Sequence, residues 1–201
     1  MDVATMSNQT SNTVNLSSPM NAAELLALKD EKDFELANGQ LVALHSGFQA
    51  AHVGVQLAGQ LFIFNQTHRL GWVLGARCGY QLPLPGHDTV RKPDASFISF
   101  QRLPIPEKLP TGYPVVAPDL AAEVVAPDDL AYELETKIND YLLAGVRLIW
   151  VINPVGQSVL IYRQDGTFDR RLETDELDGE DVLPGFRCSI ASLLEVPQQA
   201  S

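Results

Sequence analysis

One segment limits the possible folds of this chain more than any other. Leu148 to Ile152 is an unbroken run of large apolar side chains, which is typical of a strand covered on both faces. A helical pattern over 129–144, ended by Gly145, comes before this run, and a short apolar strand over 120–125 comes before that helix. Strands that alternate with helices in this way predict an α/β domain.

Turn signals divide the rest of the chain into short elements. Asn38-Gly39 and Asp165-Gly166 each separate two runs with strand character, which predicts two hairpins. The other predicted elements are a short helix capped by Ser17-Ser18-Pro19, a long helix over 48–68, strands over 72–82 and 89–100, and an irregular proline-rich loop over 101–118. Their order predicts a mixed central β-sheet flanked by helices in one domain over 19–201, after a disordered tail over 1–18.

Charge and composition exclude several classes of protein. The net charge of -11 argues against a DNA binder that relies on bulk electrostatic attraction. Two cysteines give neither a disulfide framework nor a thiolate zinc site. No apolar run reaches membrane-spanning length and no secretory signal is present, so a cytoplasmic protein without a membrane partner is expected.

Glu123 interrupts the short strand over 120–125 with one carboxylate. Because side chains alternate across a strand, Glu123 shares a face with Ala121 and Val125. Burying an unpaired charge is costly, so Glu123 is expected either to meet a cation or to emerge at the end of the strand. A structural ion pair or a solvent-exposed strand end remains an alternative to a functional role.

Asp94 and Lys137 are the expected partners of Glu123. Two carboxylates on neighbouring strands can converge on Mg²⁺, which prefers oxygen ligands, although Asp94 alone is an ordinary turn residue. Lys137 lies on the apolar stripe of the helix over 129–144, three residues after Leu134 and four before Tyr141. Its ammonium either extends along the core edge to water or points over the two acids, where it could act on a phosphate or a water.

These residues resemble a PD-(D/E)xK nuclease site whose lysine has moved from the strand to the following helix. Val125 occupies the position where the standard motif has lysine. The stretch from Phe34 to Leu194 is further similar to the Uma-two family, a former domain of unknown function. The matching pieces are 34–41, His52, 91–98, 118–127, 137–146 and 150–154. Ala126 is a departure, since the family commonly has serine there.

The resemblance implies a restriction-endonuclease-like fold and a DNA endonuclease that requires Mg²⁺ or Mn²⁺. Asp94 and Glu123 would be the metal ligands and Lys137 would serve the water or the phosphate. Glu35 matches an acid that such nucleases often add to the site, although a strand acid facing water is an equal alternative. His52 on the long helix is more typical of a structural histidine.

Binding partners follow less directly from the sequence. Arg77, Arg91 and Lys92 lie near the strands predicted to form the site and are the candidate nucleic-acid contacts. A homodimer is expected because nucleases that cut both strands commonly act as symmetric dimers. The acidic charge leaves two other functions open: a nuclease-fold binding or assembly module with little cleavage, and a metal-dependent hydrolase of a phosphate ester that is not a nucleic acid.

Overall fold

The computed structural model describes residues 13–14, 18–45 and 47–196. Their helices are α1 (Ala22–Leu26), α2 (Phe48–His68), α3 (Ala131–Leu143) and α4 (Ile190–Leu194). Their strands are β1 (Thr13–Val14), β2 (Phe34–Ala37), β3 (Gln40–Ala43), β4 (Gly71–Gly75), β5 (Tyr80–Leu82), β6 (Thr89–Arg91), β7 (Ala95–Ser99), β8 (Leu120–Val124), β9 (Leu148–Asn153), β10 (Ser158–Arg163), β11 (Phe168–Leu172), β12 (Glu176–Asp178) and β13 (Arg187–Ser189).

A six-stranded mixed sheet forms the centre of the protein, in the order β11-β10-β9-β8-β7-β4. Strands β8 and β9 are parallel and are connected through α3, whereas their other neighbours in this sheet are antiparallel. Helix α2 packs on one face and α3 on the other. The predicted α/β architecture, a mixed sheet flanked by helices, is confirmed.

Strand β9 is covered on both faces, as its unbroken apolar run predicts. Leu148, Trp150 and Ile152 belong to the core under α2. Ile149 and Val151 belong to the core under α3. This double burial fixes β9 in the interior of the sheet and leaves β8, its parallel neighbour, to carry the acidic side chain toward α3.

The strands predicted over 72–82 and 89–100 are each divided in two, so the expectation of continuous strands is wrong. Strands β4 and β7 pair within the central sheet, whereas β5 and β6 pair within a second sheet of order β1-β3-β2-β6-β5. The returning strand breaks at Lys92-Pro93-Asp94, where proline has no amide hydrogen to donate to a ladder. The chain therefore crosses between the two sheets at Asp94.

The ends of the chain differ from expectation. Most of the tail predicted over 1–18 lies outside the described residues, but Thr13–Val14 pairs with β3. Helix α1 is capped by Asn21, in a reciprocal capping box with Glu24, and not by the earlier serines. The β12-β13 ribbon and α4, which cover the core under α2, were not predicted.

No helix of the described ranges has the length and hydropathy that a membrane crossing requires.

Candidate active site

Strand β8 presents Glu123 to α3, as side-chain alternation predicts. The carboxylate is only 5% exposed. Lys137 Nζ donates to its Oε2 at 3.1 Å, and the Tyr141 hydroxyl donates to its Oε1 at 2.6 Å. The cation that a buried Glu123 requires is therefore Lys137, and the hydroxyl of Tyr141 satisfies the second oxygen.

Lys137 bridges two buried carboxylates. Its Nζ lies 3.1 Å from Glu123 Oε2 and 3.4 Å from Glu35 Oε2. Desolvation alone would lower the pKa of Lys137, but the two carboxylates outweigh it and raise the pKa above its ordinary value. Of the two alternatives for Lys137, the geometry favours an ammonium held inside the acidic cluster over one that extends to bulk water.

Glu35, on β2, is fully buried and does not face water. It accepts hydrogen bonds from Arg91 Nη1 at 3.0 Å and from the backbone N–H of Lys92 at 2.6 Å. Burial acts to raise the pKa of Glu35, but Lys137 and Arg91 outweigh it and hold the pKa below its usual range. Glu35 therefore remains ionised and anchors Lys137 from the second sheet.

Arg91 and Lys92 are buried, at 2% and 3% exposure. Arg91 donates from Nη2 and Nε to Asp140 Oδ2, at 2.6 and 2.9 Å, in addition to its contact with Glu35. Lys92 Nζ donates to Glu31 Oε1 at 2.6 Å. Both cations are thus paired with carboxylates inside the fold, although both also line the cleft that contains Glu123. Of the three candidate nucleic-acid contacts, only Arg77 is exposed.

Asp94 lies immediately before β7, at the crossing between the two sheets. Its Oδ2 accepts a hydrogen bond from the backbone N–H of Val124 at 2.7 Å, which ties it to the residue after Glu123. Burial raises the pKa of Asp94 to about 6, against the opposing effects of that N–H and of Lys137. Burial, together with repulsion from Asp94 and Glu35, raises the pKa of Glu123 to about 7 despite Lys137.

Asp94, Glu123 and Lys137 line one cleft of about 240 Å³. Its lining includes residues of β3, of the turn after β4 and of the start of α3. Lys32 and Arg77 supply cationic side chains to this lining. Asp129 and Glu133 supply acidic side chains to the same lining. Arg91, Lys92 and Lys137 are further cations of the lining, so a phosphate that enters the cleft would be attracted by these cations and repelled by the acids.

The charges of the cluster leave a negative excess. Its four acids are Glu35, Asp94, Glu123 and Asp140, and its two cations are Arg91 and Lys137. Four acids less two cations leave two uncompensated negative charges when all the groups are ionised. That excess equals the charge of one divalent cation.

The donor set fits Mg²⁺ better than a transition metal. Among the described residues there is no group of three or more His, Cys, Asp or Glu side chains arranged to enclose an ion. Mg²⁺ commonly binds through one or two carboxylates and completes its octahedron with waters and substrate phosphate oxygens. Asp94 and Glu123 line the same cleft and are two carboxylates that could hold such an ion.

Two contributors to the cluster were not identified from the sequence. Asp140 and Tyr141 lie three and four residues after Lys137, so the three side chains share one face of α3. This spacing was the available signal, but Tyr141 fitted the apolar stripe equally well. His52 lies outside the cluster, with its Nε2 3.2 Å from the backbone oxygen of Glu195, which agrees with a structural role.

Comparison with known proteins gives a consistent result. Residues 22–191 match the sequence model of the Uma2 family, described as "Putative restriction endonuclease". The structure is similar to the crystal structure of "a putative nuclease belonging to DUF820" from Anabaena variabilis, with a TM-score of 0.74 and 19% sequence identity. The match covers 88% of this chain and 98% of that one, and it shows the fold. No curated protein matches the chain significantly.

Proposed function

The chain belongs to the Uma2 family, and we propose that it is a Mg²⁺-dependent or Mn²⁺-dependent endonuclease that hydrolyses DNA. The observation that carries the proposal is the Lys137 ammonium between Glu35 and Glu123, in the same cleft as Asp94. A buried lysine surrounded by more carboxylates than it can neutralise is poorly explained by stability alone, because each buried charge loses hydration. The cluster is better explained by a reaction at a phosphate.

Each residue of the cleft has a distinct role in this proposal. Asp94 and Glu123 would hold the divalent ion, which would supply Lewis-acid stabilisation of the phosphate and activation of water. Lys137 stabilises negative charge on the scissile phosphate or orients the attacking water. Glu35 and Tyr141 are positioning residues, since Glu35 contacts Lys137 and Tyr141 holds the Glu123 carboxylate.

Arg77 is the proposed contact for the DNA backbone, with Lys32 beside it in the lining of the cleft. Arg91 and Lys92 are assigned a different role: they hold Glu35 and Glu31 in place from inside the fold. Cleavage of both strands requires two clefts, and a symmetric homodimer would supply them.

The test separates metal binding from cleavage. Mn²⁺ binding is measured by titration calorimetry, and nicking of supercoiled plasmid is measured with Mg²⁺, with Mn²⁺ and with EDTA. Asp94→Asn and Glu123→Gln should each remove both signals. Glu135→Gln, an exposed acid on α3, is the matched control and should change neither.

Three outcomes would contradict parts of the proposal. Metal binding without any nicking, in the wild type, would favour a binding or assembly module. Hydrolysis of a small phosphate ester with no action on DNA would place the substrate outside nucleic acids. Nicking that continues in EDTA and in the Asp94→Asn variant would show that cleavage needs no metal ion at Asp94.

A further inference from the structure

Helix α2 is apolar on two opposite faces. Its inner face packs into the core through Val53, Leu57 and Leu61. Its outer face also carries large apolar side chains that are exposed: Phe48 (93%), Val55 (73%), Ile63 (64%) and Phe62 (53%). Among the residues that the structure describes, nothing buries these side chains, and a patch of large exposed apolar side chains is typical of a surface that binds a partner.

The outer face forms a stripe with seven-residue spacing. Phe48, Val55 and Phe62 follow one another at intervals of seven, so they lie within about 20° of one line along the helix. Gly59, between Val55 and Phe62, has no atom within 4 Å of the position a Cβ would take. The space beside the stripe at Gly59 is therefore open to an approaching partner.

The net charge of the chain and the lack of charged residues on α2 indicate which kind of partner can cover this stripe. Over its 21 residues α2 contains no Asp, Glu, Lys or Arg, in a chain of net charge -11. Two copies of so acidic a protein repel each other across most surfaces, and an uncharged helix offers a place where they can meet with little repulsion. The uncharged stripe lacks the basic residues by which an interfacial helix binds anionic lipids.

We propose that α2 is the self-association surface of this protein, with α2 of one copy packed antiparallel on α2 of a second copy. In a twofold arrangement Val55 lies on the axis and faces the Val55 of the second copy, while Phe48 faces Phe62. The apolar stripe would bury on the order of 500 Å² per copy, and polar neighbours bring the total above the roughly 1,000 Å² expected of a specific interface.

This arrangement also connects the interface to the cleft. A Cβ placed at Gly54 would lie 3.4 Å from the Cβ of Asp94, so the inner face of α2 touches the candidate metal ligand. The inference deepens the proposed function by giving its homodimer an interface. The inference rests on the proposed function only for the reason why a dimer is needed. The dimer itself can be tested without a cleavage assay, because association is measured directly.

The test is the mass of the full chain in solution, by light scattering and sedimentation between 1 and 100 µM. The wild type should be a dimer and Val55→Glu a monomer with an unchanged circular dichroism spectrum. Val155→Glu, an equally exposed apolar residue outside α2, is the control and should remain dimeric. Because screening weakens repulsion between like charges, 1 M NaCl should strengthen the dimer.

A second variant tests the register. Val55→Cys should form a disulfide between two copies under mild oxidation, whereas Val155→Cys should not. A wild-type monomer at 100 µM would overturn the proposal, as would a dimer that Val55→Glu leaves intact. Flotation of the monomer with phospholipid vesicles would assign the stripe to a membrane surface instead. An absence of plasmid nicking would not change the measured association. The endonuclease proposal and the dimer proposal can therefore be refuted independently.

Discussion

Replacing Lys137 with methionine removes the ammonium from between Glu35 and Glu123 but keeps a side chain of similar length. Removing one partner of a buried ion pair typically costs about 3–5 kcal/mol, because the remaining charge is left uncompensated. Glu35 retains Arg91 as a partner, and Glu123 retains Tyr141. Glu123 can also take up a proton, so the cost of Lys137→Met should depend on pH.

The sign of that dependence follows from the pKa of Glu123, which is about 7 in the wild type. Above pH 7 the wild-type carboxylate ionises beside Lys137, whereas the variant keeps its proton because its pKa is higher still. One pKa unit corresponds to 1.36 kcal/mol, and the wild type titrates one unit below pH 8, so the cost of the substitution should rise by roughly 1 kcal/mol between pH 6 and pH 8.

The assay is urea unfolding at pH 6, 7 and 8 in EDTA. Lys108→Met, in the exposed proline-rich loop, is the matched control and should change stability by no more than about 0.5 kcal/mol at any pH. Nicking by folded Lys137→Met should fall by about 10²–10³, the usual loss for one electrostatic stabiliser. An equal cost at pH 6 and pH 8, or one matching Lys108→Met, would refute the ion-pair argument.

Three further predictions concern the same cluster. Tyr141→Phe leaves a buried Glu123 oxygen without its donor, so calorimetry should show weaker Mn²⁺ binding and urea unfolding a loss of about 1–3 kcal/mol. Arg91→Met should lower the free energy of unfolding by about 3–5 kcal/mol in the same assay. Arg77→Ala should leave that free energy unchanged and reduce the slope of log DNA affinity against log salt by about 1. Because Asp94 and Glu123 have folded-state pKa values raised to about 6 and 7, the native state binds more protons, and metal-free stability should fall as pH rises from 5 to 7.5. The double variant Asp94→Asn with Glu123→Gln should flatten that slope, and added Mg²⁺ should stabilise the wild type more at pH 7.5 than at pH 5.

Sequence patterns within a single helix or strand predicted the burial and orientation of the residues in that element. The apolar run of β9 predicted a strand buried on both faces, and the position of Lys137 on the apolar stripe of α3 predicted that it points inward. Alternation along β8 predicted that Glu123 shares the face of Ala121, which packs in the core under α3. Each of these depends on the period of a single helix or strand, which the sequence carries directly.

Contacts between distant segments were not predictable in this way. Arg91 meets Asp140, 49 residues along the chain, and Glu35, 56 residues back. Nothing in the sequence near Arg91 distinguishes a buried cation from one that binds a phosphate, because both need a positive side chain at the end of a strand. The division between two sheets was missed for a similar reason, since the alternation of side chains continues on both sides of Pro93.

The crossing of the chain between the two sheets has a consequence for how the protein folds. Glu35 and Arg91 belong to the second sheet, whereas Glu123 belongs to the central sheet, and Asp94 lies where the chain passes from one to the other. Neither sheet closes through hairpins alone: the second sheet pairs Leu36 with Val90, and in the central sheet the pairing of β4 with β7 encloses β5 and β6. Both sheets therefore close long loops of the chain, which loop-closure entropy opposes. The acidic cluster therefore assembles only where the two sheets are packed together, and local unfolding of the second sheet alone would remove Glu35 and Arg91 from Lys137 and Asp140.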